Sequence, residues 1–171
     1  MLYIKPPNTW SVSGAPIVVP RGVAQLGMGG TVGIVFGRAA SRVNLQEGLD
    51  CIGGWVAVND VSIPHASYYR PAIKERCRDG FCPIGSMAPA SAAPQVIRIS
   101  VNGELKHSAV LTDLIRGVGQ LIVDVSEFMT LRTGDILLVG EPHLIPLAGA
   151  GDRVRIEVPG VGFVENELVA E

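Results

Sequence analysis

The chain has 171 residues, 47% of them hydrophobic and 18% charged, with a formal net charge of -2 and a mean hydropathy of +0.34. That length and apolar content specify one globular domain with a sizeable core and exclude a disordered chain. The slightly acidic balance excludes the basic footprint of a nucleic-acid binder, and no apolar run approaches the roughly 20 residues that cross a bilayer.

The opening, Met1-Leu2-Tyr3-Ile4-Lys5-Pro6-Pro7, has no basic segment followed by an apolar one, so a secretory leader is not expected. Three cysteines, Cys51, Cys77 and Cys82, are too few and too irregular for a zinc knuckle or a disulfide framework. Reduced, partly buried thiols in a cytoplasmic protein are the expectation.

Gly27-Met28-Gly29-Gly30 precedes a candidate strand and lacks the lysine and following helix of a phosphate loop. Thr31 to Phe36 reads as a strand stopped at Gly37. Asn44 with Glu47 three residues later has the form of a capped helix start, and the spacing predicts a helix reaching about Val56. Asp60 then follows the apolar run Trp55 to Val58 as a turn former or a metal ligand; hard divalent ions want several oxygens, usually two or three carboxylates.

From Asn59 to Gly85 the charges gather. Arg70, Lys74, Arg76 and Arg78 lie beside Asp60 and Asp79, while Pro71, Phe81, Pro83 and Gly85 between them argue for a packed, shaped loop over a solvated one. Such a loop suits a small anion. Asp79, in Arg78-Asp79-Gly80, is by default a turn residue.

Val96 to Val101 alternates and runs into Asn102-Gly103, a strong hairpin signal, with Glu104 to His107 returning. Leu114, Ile115, Val118, Leu121, Ile122, Val125 and Phe128 share one face at helical spacing, which predicts a helix over 112–129 packed on a sheet. Asp135 to Val139 and Arg153 to Val158 read as strands. Pro159 to Gly162 turns the chain toward a last strand at about 163–167. His65, His107 and His143 share no ligand spacing, and His143 ends a predicted strand beside Glu141. Nothing marks a repeat, a linker or an internal boundary.

In this order, Lys5-Pro6-Pro7-Asn8-Thr9, Gly54 through Asn59-Asp60-Val61-Ser62, Arg78-Asp79-Gly80-Phe81-Cys82-Pro83-Ile84-Gly85, Val101-Asn102-Gly103-Glu104, Glu127 to Leu131 with Gly134-Asp135, Gly140 with Pro142, Gly151-Asp152 and Gly160-Val161-Gly162 resemble the fumarylacetoacetate hydrolase family over almost the whole chain. Tyr68 to Lys74 with Cys77 to Pro83 resembles in particular one branch of it, the N-terminal half or separate first subunit of the bifunctional isomerase/decarboxylases of homoprotocatechuate (4-hydroxyphenylacetate) breakdown. The resemblance implies a mostly β fold with a few helices (α+β), a rolled mixed β-sheet over residues 1–171, without the N-terminal lid segment that carries the family's acid/base pair. It also implies a Mg2+ or Mn2+ site that chelates a 2-oxo acid, polarises its oxo group and stabilises an enolate, with cationic side chains on the remaining carboxylates.

By that resemblance Asp60 is the one metal ligand, and the other two ligand positions, usually glutamates, hold Gly29 and Thr31. Arg76 stands where the family has a lysine and Glu141 where it commonly has threonine. Arg76 and Lys74 are the catalytic candidates, and Tyr69, Arg70, Asp79 and Glu141 the substrate-binding ones. One carboxylate does not hold Mg2+ strongly by itself, so tight metal binding is not expected of this chain.

Two readings stay open. In the first, the chain belongs to a 2-oxo-dicarboxylate decarboxylase/isomerase acting on a small di- or tricarboxylate in aromatic catabolism. In the second, it is a catalytically reduced partner, in a homodimer or with a sibling subunit that carries the full ligand set. A relative acting as an acylpyruvate hydrolase or oxaloacetate tautomerase is a third.

Overall fold

The computed structural model describes residues 2–66, 72–141 and 144–171. Tyr69, Arg70 and His143, singled out above, lie outside them.

After a 3-10 turn at Pro7–Thr9 come strands β1 (Trp10–Val12), β2 (Ile17–Val19) and β3 (Leu26–Phe36), then helix α1 (Leu45–Asp50) and strand β4 (Ile52–Ser62). The short helix α2 (Ile73–Arg76) precedes β5 (Cys82–Ile84), β6 (Ala88–Pro89), β7 (Val96–Val101) and β8 (Glu104–Val110). Helix α3 (Val118–Ser126) leads to β9 (Ile136–Leu138), β10 (Leu147–Ala148), β11 (Arg153–Val158) and β12 (Gly162–Ala170).

The strands form two mixed sheets. The first runs β1-β5-β4-β3-β10, with β6 on β4 and β9 on β3, and the second runs β2-β12-β11-β7-β8. Only β1–β5 and β2–β12 pair in parallel among the described residues. The mostly β architecture expected from the sequence is therefore present.

The antiparallel pair β3–β4 organises the first sheet, with Gly29 opposite Asp60, Gly30 opposite Asn59 and Thr31 opposite Val58. Alternation sends neighbouring residues to opposite faces. Leu26, Met28, Val32, Ile34 and Phe36 enter the main core together with Ile99, Val154 and Ile156 of the second sheet. A Cβ at Gly30 would stand 2.7 Å from Ile99 Cγ1 and 3.1 Å from Ile156 Cδ1, so the bare glycine lets the two sheets approach. The opposite face carries Val56, Val58 and Cys82 with half-buried Val35, Ile84 and Leu138. Gly29, Thr31 and Asp60 belong to that second face.

Several sequence expectations are corrected. The capped start of α1 is real: Asn44 Oδ1 accepts from the Glu47 amide and Glu47 Oε2 accepts from the Asn44 amide. The helix stops at Asp50, however, not near Val56, because Ile52 onward pairs with β3. A strand buried on both faces shows no alternation, so β4 was invisible to a periodicity argument. The helix predicted over 112–129 is confined to Val118–Ser126. Gly117 starts it with an extended backbone, and Ile115 and Phe128 are exposed instead of sharing the apolar face. The strand expected at Thr31 begins five residues earlier, at Leu26, and the last strand extends to Ala170. The Asn102-Gly103 hairpin holds, with positive φ at both residues (52° and 80°) as a type I′ turn requires. All three cysteines are free, with Cys51 and Cys82 buried.

Candidate functional site

Asp60 lies near the end of β4, its side chain only 9% exposed. Two residues from the chain start approach it. The Lys5 ammonium stands 2.7 Å from Asp60 Oδ1, and the Tyr3 hydroxyl donates to Asp60 Oδ2 at 2.5 Å. Lys5 Nζ also donates to the carbonyls of Arg76 and Phe81, at 2.7 and 2.9 Å. A buried ammonium is tolerated only when its donors are matched this way.

Helix α2 carries Arg76 to the same place. Its Nη1 donates to the Tyr3 hydroxyl at 3.1 Å and stands 3.6 Å from Asp60 Oδ2. Its Nη2 forms an ion pair with Glu141 Oε1 at 2.5 Å. The guanidinium also lies 5.5 Å from the Tyr3 ring centroid. Glu141 reaches back to the sheet: its Oε2 would lie 2.5 Å from a Cβ on Gly29, and the Asp60 carbonyl oxygen would crowd that Cβ equally. Thr31 Oγ1 donates to the Gly140 carbonyl, and Gly140, at φ +113°, turns the chain just before Glu141.

The electrostatics follow from this packing. Burial, then the Asp60 charge and hydrogen bond, push the Tyr3 hydroxyl far above its ordinary range, so it remains a donor. Burial, the largest single influence, works against the charge on Arg76, but the hydrogen bonds and charges of Glu141 and Tyr3 together outweigh it and the guanidinium is held more firmly protonated. Burial also lifts the Cys82 thiol to about 11, leaving it a neutral, unreactive filler.

The structure thus gathers Asp60, Gly29, Thr31, Arg76 and Glu141 from the sequence candidates. It does not bring Lys74 or Asp79 to them. Lys74 is exposed on α2. Asp79 is exposed, accepts from Asn8 Nδ2 at 2.7 Å, and opens with Arg78 and Phe81 onto a separate shallow cleft of about 410 Å³. Tyr3 and Lys5 were missed as site residues. They lie 57 and 55 positions from Asp60 in the chain, and no local pattern announces that contact.

A divalent ion of the kind the resemblance implies does not fit this donor set. Gly29 and Thr31 bring no carboxylate, and the two carboxylates present, Asp60 and Glu141, already face Lys5 and Arg76, although Asp60 Oδ1 and Glu141 Oε2 are buried and accept no hydrogen bond among the described residues. Among the described residues no three His, Cys, Asp or Glu side chains group to hold a metal. Nor is any helix among them long and apolar enough to cross a membrane.

Comparison with known proteins places this geometry. The family model described as fumarylacetoacetate (FAA) hydrolase C-terminal matches residues 1–169. The chain is 43% identical to the 4-hydroxyphenylacetate degradation bifunctional isomerase/decarboxylase of Salmonella dublin, over 99% of this chain and 39% of that protein. It therefore spans about two fifths of that curated relative's length. Among solved structures it resembles 5-carboxymethyl-2-hydroxymuconate delta-isomerase from Mycobacterium smegmatis, with a TM-score of 0.89 and 28% identity over 99% of this chain and 68% of the other. Maleylpyruvate hydrolase from Sphingobium sp. SYK-6, solved with manganese(II) and pyruvate, aligns with a TM-score of 0.88 and 26% identity over 98% of this chain and 64% of the other.

Proposed function

The chain belongs to the fumarylacetoacetate hydrolase family, and from that premise we propose that it is a catalytically reduced subunit of a decarboxylase/isomerase in aromatic catabolism. The assembly it serves acts on small 2-oxo di- or tricarboxylates such as 5-oxopent-3-ene-1,2,5-tricarboxylate and 2-hydroxyhepta-2,4-diene-1,7-dioate. The 43% identity to an isomerase/decarboxylase supports the assembly's chemistry. The reading for this chain is carried by one observation: of the three expected ligand positions, Gly29, Thr31 and Asp60, only the last has a carboxylate, and an ammonium already holds it.

On this reading the Mg2+- or Mn2+-dependent step belongs to another unit, either a sibling subunit or further sequence with the full ligand set. This chain contributes the fold, a surface for that partner, and cations near the substrate's distal carboxylates. Lys74, exposed and without an ion pair among the described residues, is available for that role, and Tyr69 and Arg70 precede it in the chain.

The test is turnover of 5-oxopent-3-ene-1,2,5-tricarboxylate, with Mn2+ or Mg2+, by this chain alone and then mixed with its metal-bearing sibling. Decarboxylation only after mixing is the expected result. Metal-dependent turnover by the chain alone, lost in Asp60→Ala, would overturn the reduced-subunit reading.

A further inference from the structure

The four positions at which this sequence departs from its family's site, Gly29, Thr31, Arg76 and Glu141, meet around Asp60 in one network. Thr31 holds the Gly140 carbonyl, Gly140 turns the chain, and Glu141 enters the space beside Gly29 that a side chain there would fill. Arg76 then stands between two carboxylates, 2.5 Å from Glu141 and 3.6 Å from Asp60.

We infer that the Arg76 guanidinium is this site's built-in cation: it neutralises Asp60 and Glu141 in place of a divalent ion and so makes the site refuse one. With Lys5 the network has two positive and two negative groups, so its formal charge closes at zero and a dication has no electrostatic reason to enter. The geometry agrees. A planar guanidinium can face two carboxylates from separate nitrogens, which a lysine ammonium does with less definition. The exchange is also interlocked. Glutamate at position 29 would drive its Cβ against both the Asp60 carbonyl oxygen and the Glu141 carboxylate, each 2.5 Å away. Restoring the two glutamates at positions 29 and 31 would therefore not recreate a metal site while Glu141 stays.

The inference rests on the preceding reading only in taking positions 29 and 31 as the family's ligand positions, and its test reads no turnover. Thermal melts of the full chain are recorded with and without Mn2+, for the native protein and for Arg76→Met. The native melting temperature should not move with Mn2+. Arg76→Met, with two carboxylates facing each other uncompensated, should melt lower, and Mn2+ should recover part of the loss in a saturable way. A native protein that Mn2+ stabilises, with the effect lost in Asp60→Asn, would overturn the inference. So would an Arg76→Met protein that melts like the native one or ignores Mn2+.

Should Arg76→Met fail to fold, the double-mutant cycle of Glu141→Gln and Arg76→Lys decides. Losses in the double variant smaller than the sum of the two singles support the shared role, and simple additivity refutes it.

Discussion

The two faces of the β3–β4 pair share one backbone and obey different physics. On the interior face Leu26, Met28, Val32 and Ile34 meet Ile99 and Ile156, contacts that are non-directional and hold through area removed from water. On the other face Asp60 meets Lys5 and Arg76 as ion pairs and accepts from Tyr3, Thr31 donates to the Gly140 carbonyl, and Glu141 pairs with Arg76 beside Gly29, all of them directed contacts. A residue inside can be exchanged for another of similar size at modest cost. A residue on the site face is tied to a partner of opposite charge, so one change calls for another. This is how a chain can keep its family's fold while its site acquires a different charge pattern.

The comparison is tested first on the site face. Asp60→Ala leaves the Lys5 ammonium, 8% exposed, and the Tyr3 hydroxyl without their shared carboxylate. The expected loss is about 3–5 kcal/mol, measured by urea unfolding. A loss below about 1 kcal/mol would mean that the directed bonds contribute no more than surface pairs do. On the interior face, Ile156→Ala removes a fully buried side chain next to Gly30. A cost of about 2–5 kcal/mol is expected from lost burial and the cavity left behind. Ile156→Val should cost far less, whereas Asp60→Asn should remain costly because size is not what that position supplies.

An alkaline titration probes an apolar patch on the site's own face. The Cys82 thiol is held neutral to about pH 11 by burial, against an ordinary value of 9.0. A group whose pKa is raised on folding contributes its full stability below the unfolded value and loses it as pH rises through the folded one. Stability should thus hold to about pH 9 and decline toward pH 11, by roughly 2–3 kcal/mol for a shift of that size. Melts of Cys82→Ala over the same range should show a shallower decline. An identical slope would assign the alkaline loss to other groups.

What the sequence made legible divides along the same line. The hairpin at Asn102-Gly103 and the capped start at Asn44 are local, each written within about four residues, and both are present. The two central strands were legible only in part, because burial on both faces erases alternation and the glycines at 27, 29 and 30 were placed before the first of them. Those glycines are packing residues, needed where neighbours press against the sheet. At the site, the motif around Asp60 pointed to the place where the structure brings Arg76 and Glu141 together. Two of its partners did not show, since Tyr3 and Lys5 come from the chain start. Such a contact depends on three-dimensional closure and carries no spacing signal.

Lys74 supplies the smallest expected effect and the sharpest contrast with Arg76, two residues away on the same short helix. Arg76 is half-buried and bonded to Tyr3 and Glu141, whereas Lys74 is exposed and has no ion pair among the described residues. Lys74→Ala should change stability by no more than about 0.5 kcal/mol, as surface substitutions do. If this lysine serves the substrate's distal carboxylate, the same change should raise KM of the complete assembly while leaving kcat nearly untouched, the signature of a uniform binding contact. Unchanged KM would return Lys74 to the solvated surface and leave Tyr69 and Arg70 as the sequence candidates for that carboxylate. A fall in kcat at constant KM would instead give Lys74 a part in the chemical step and rule out a uniform binding contact.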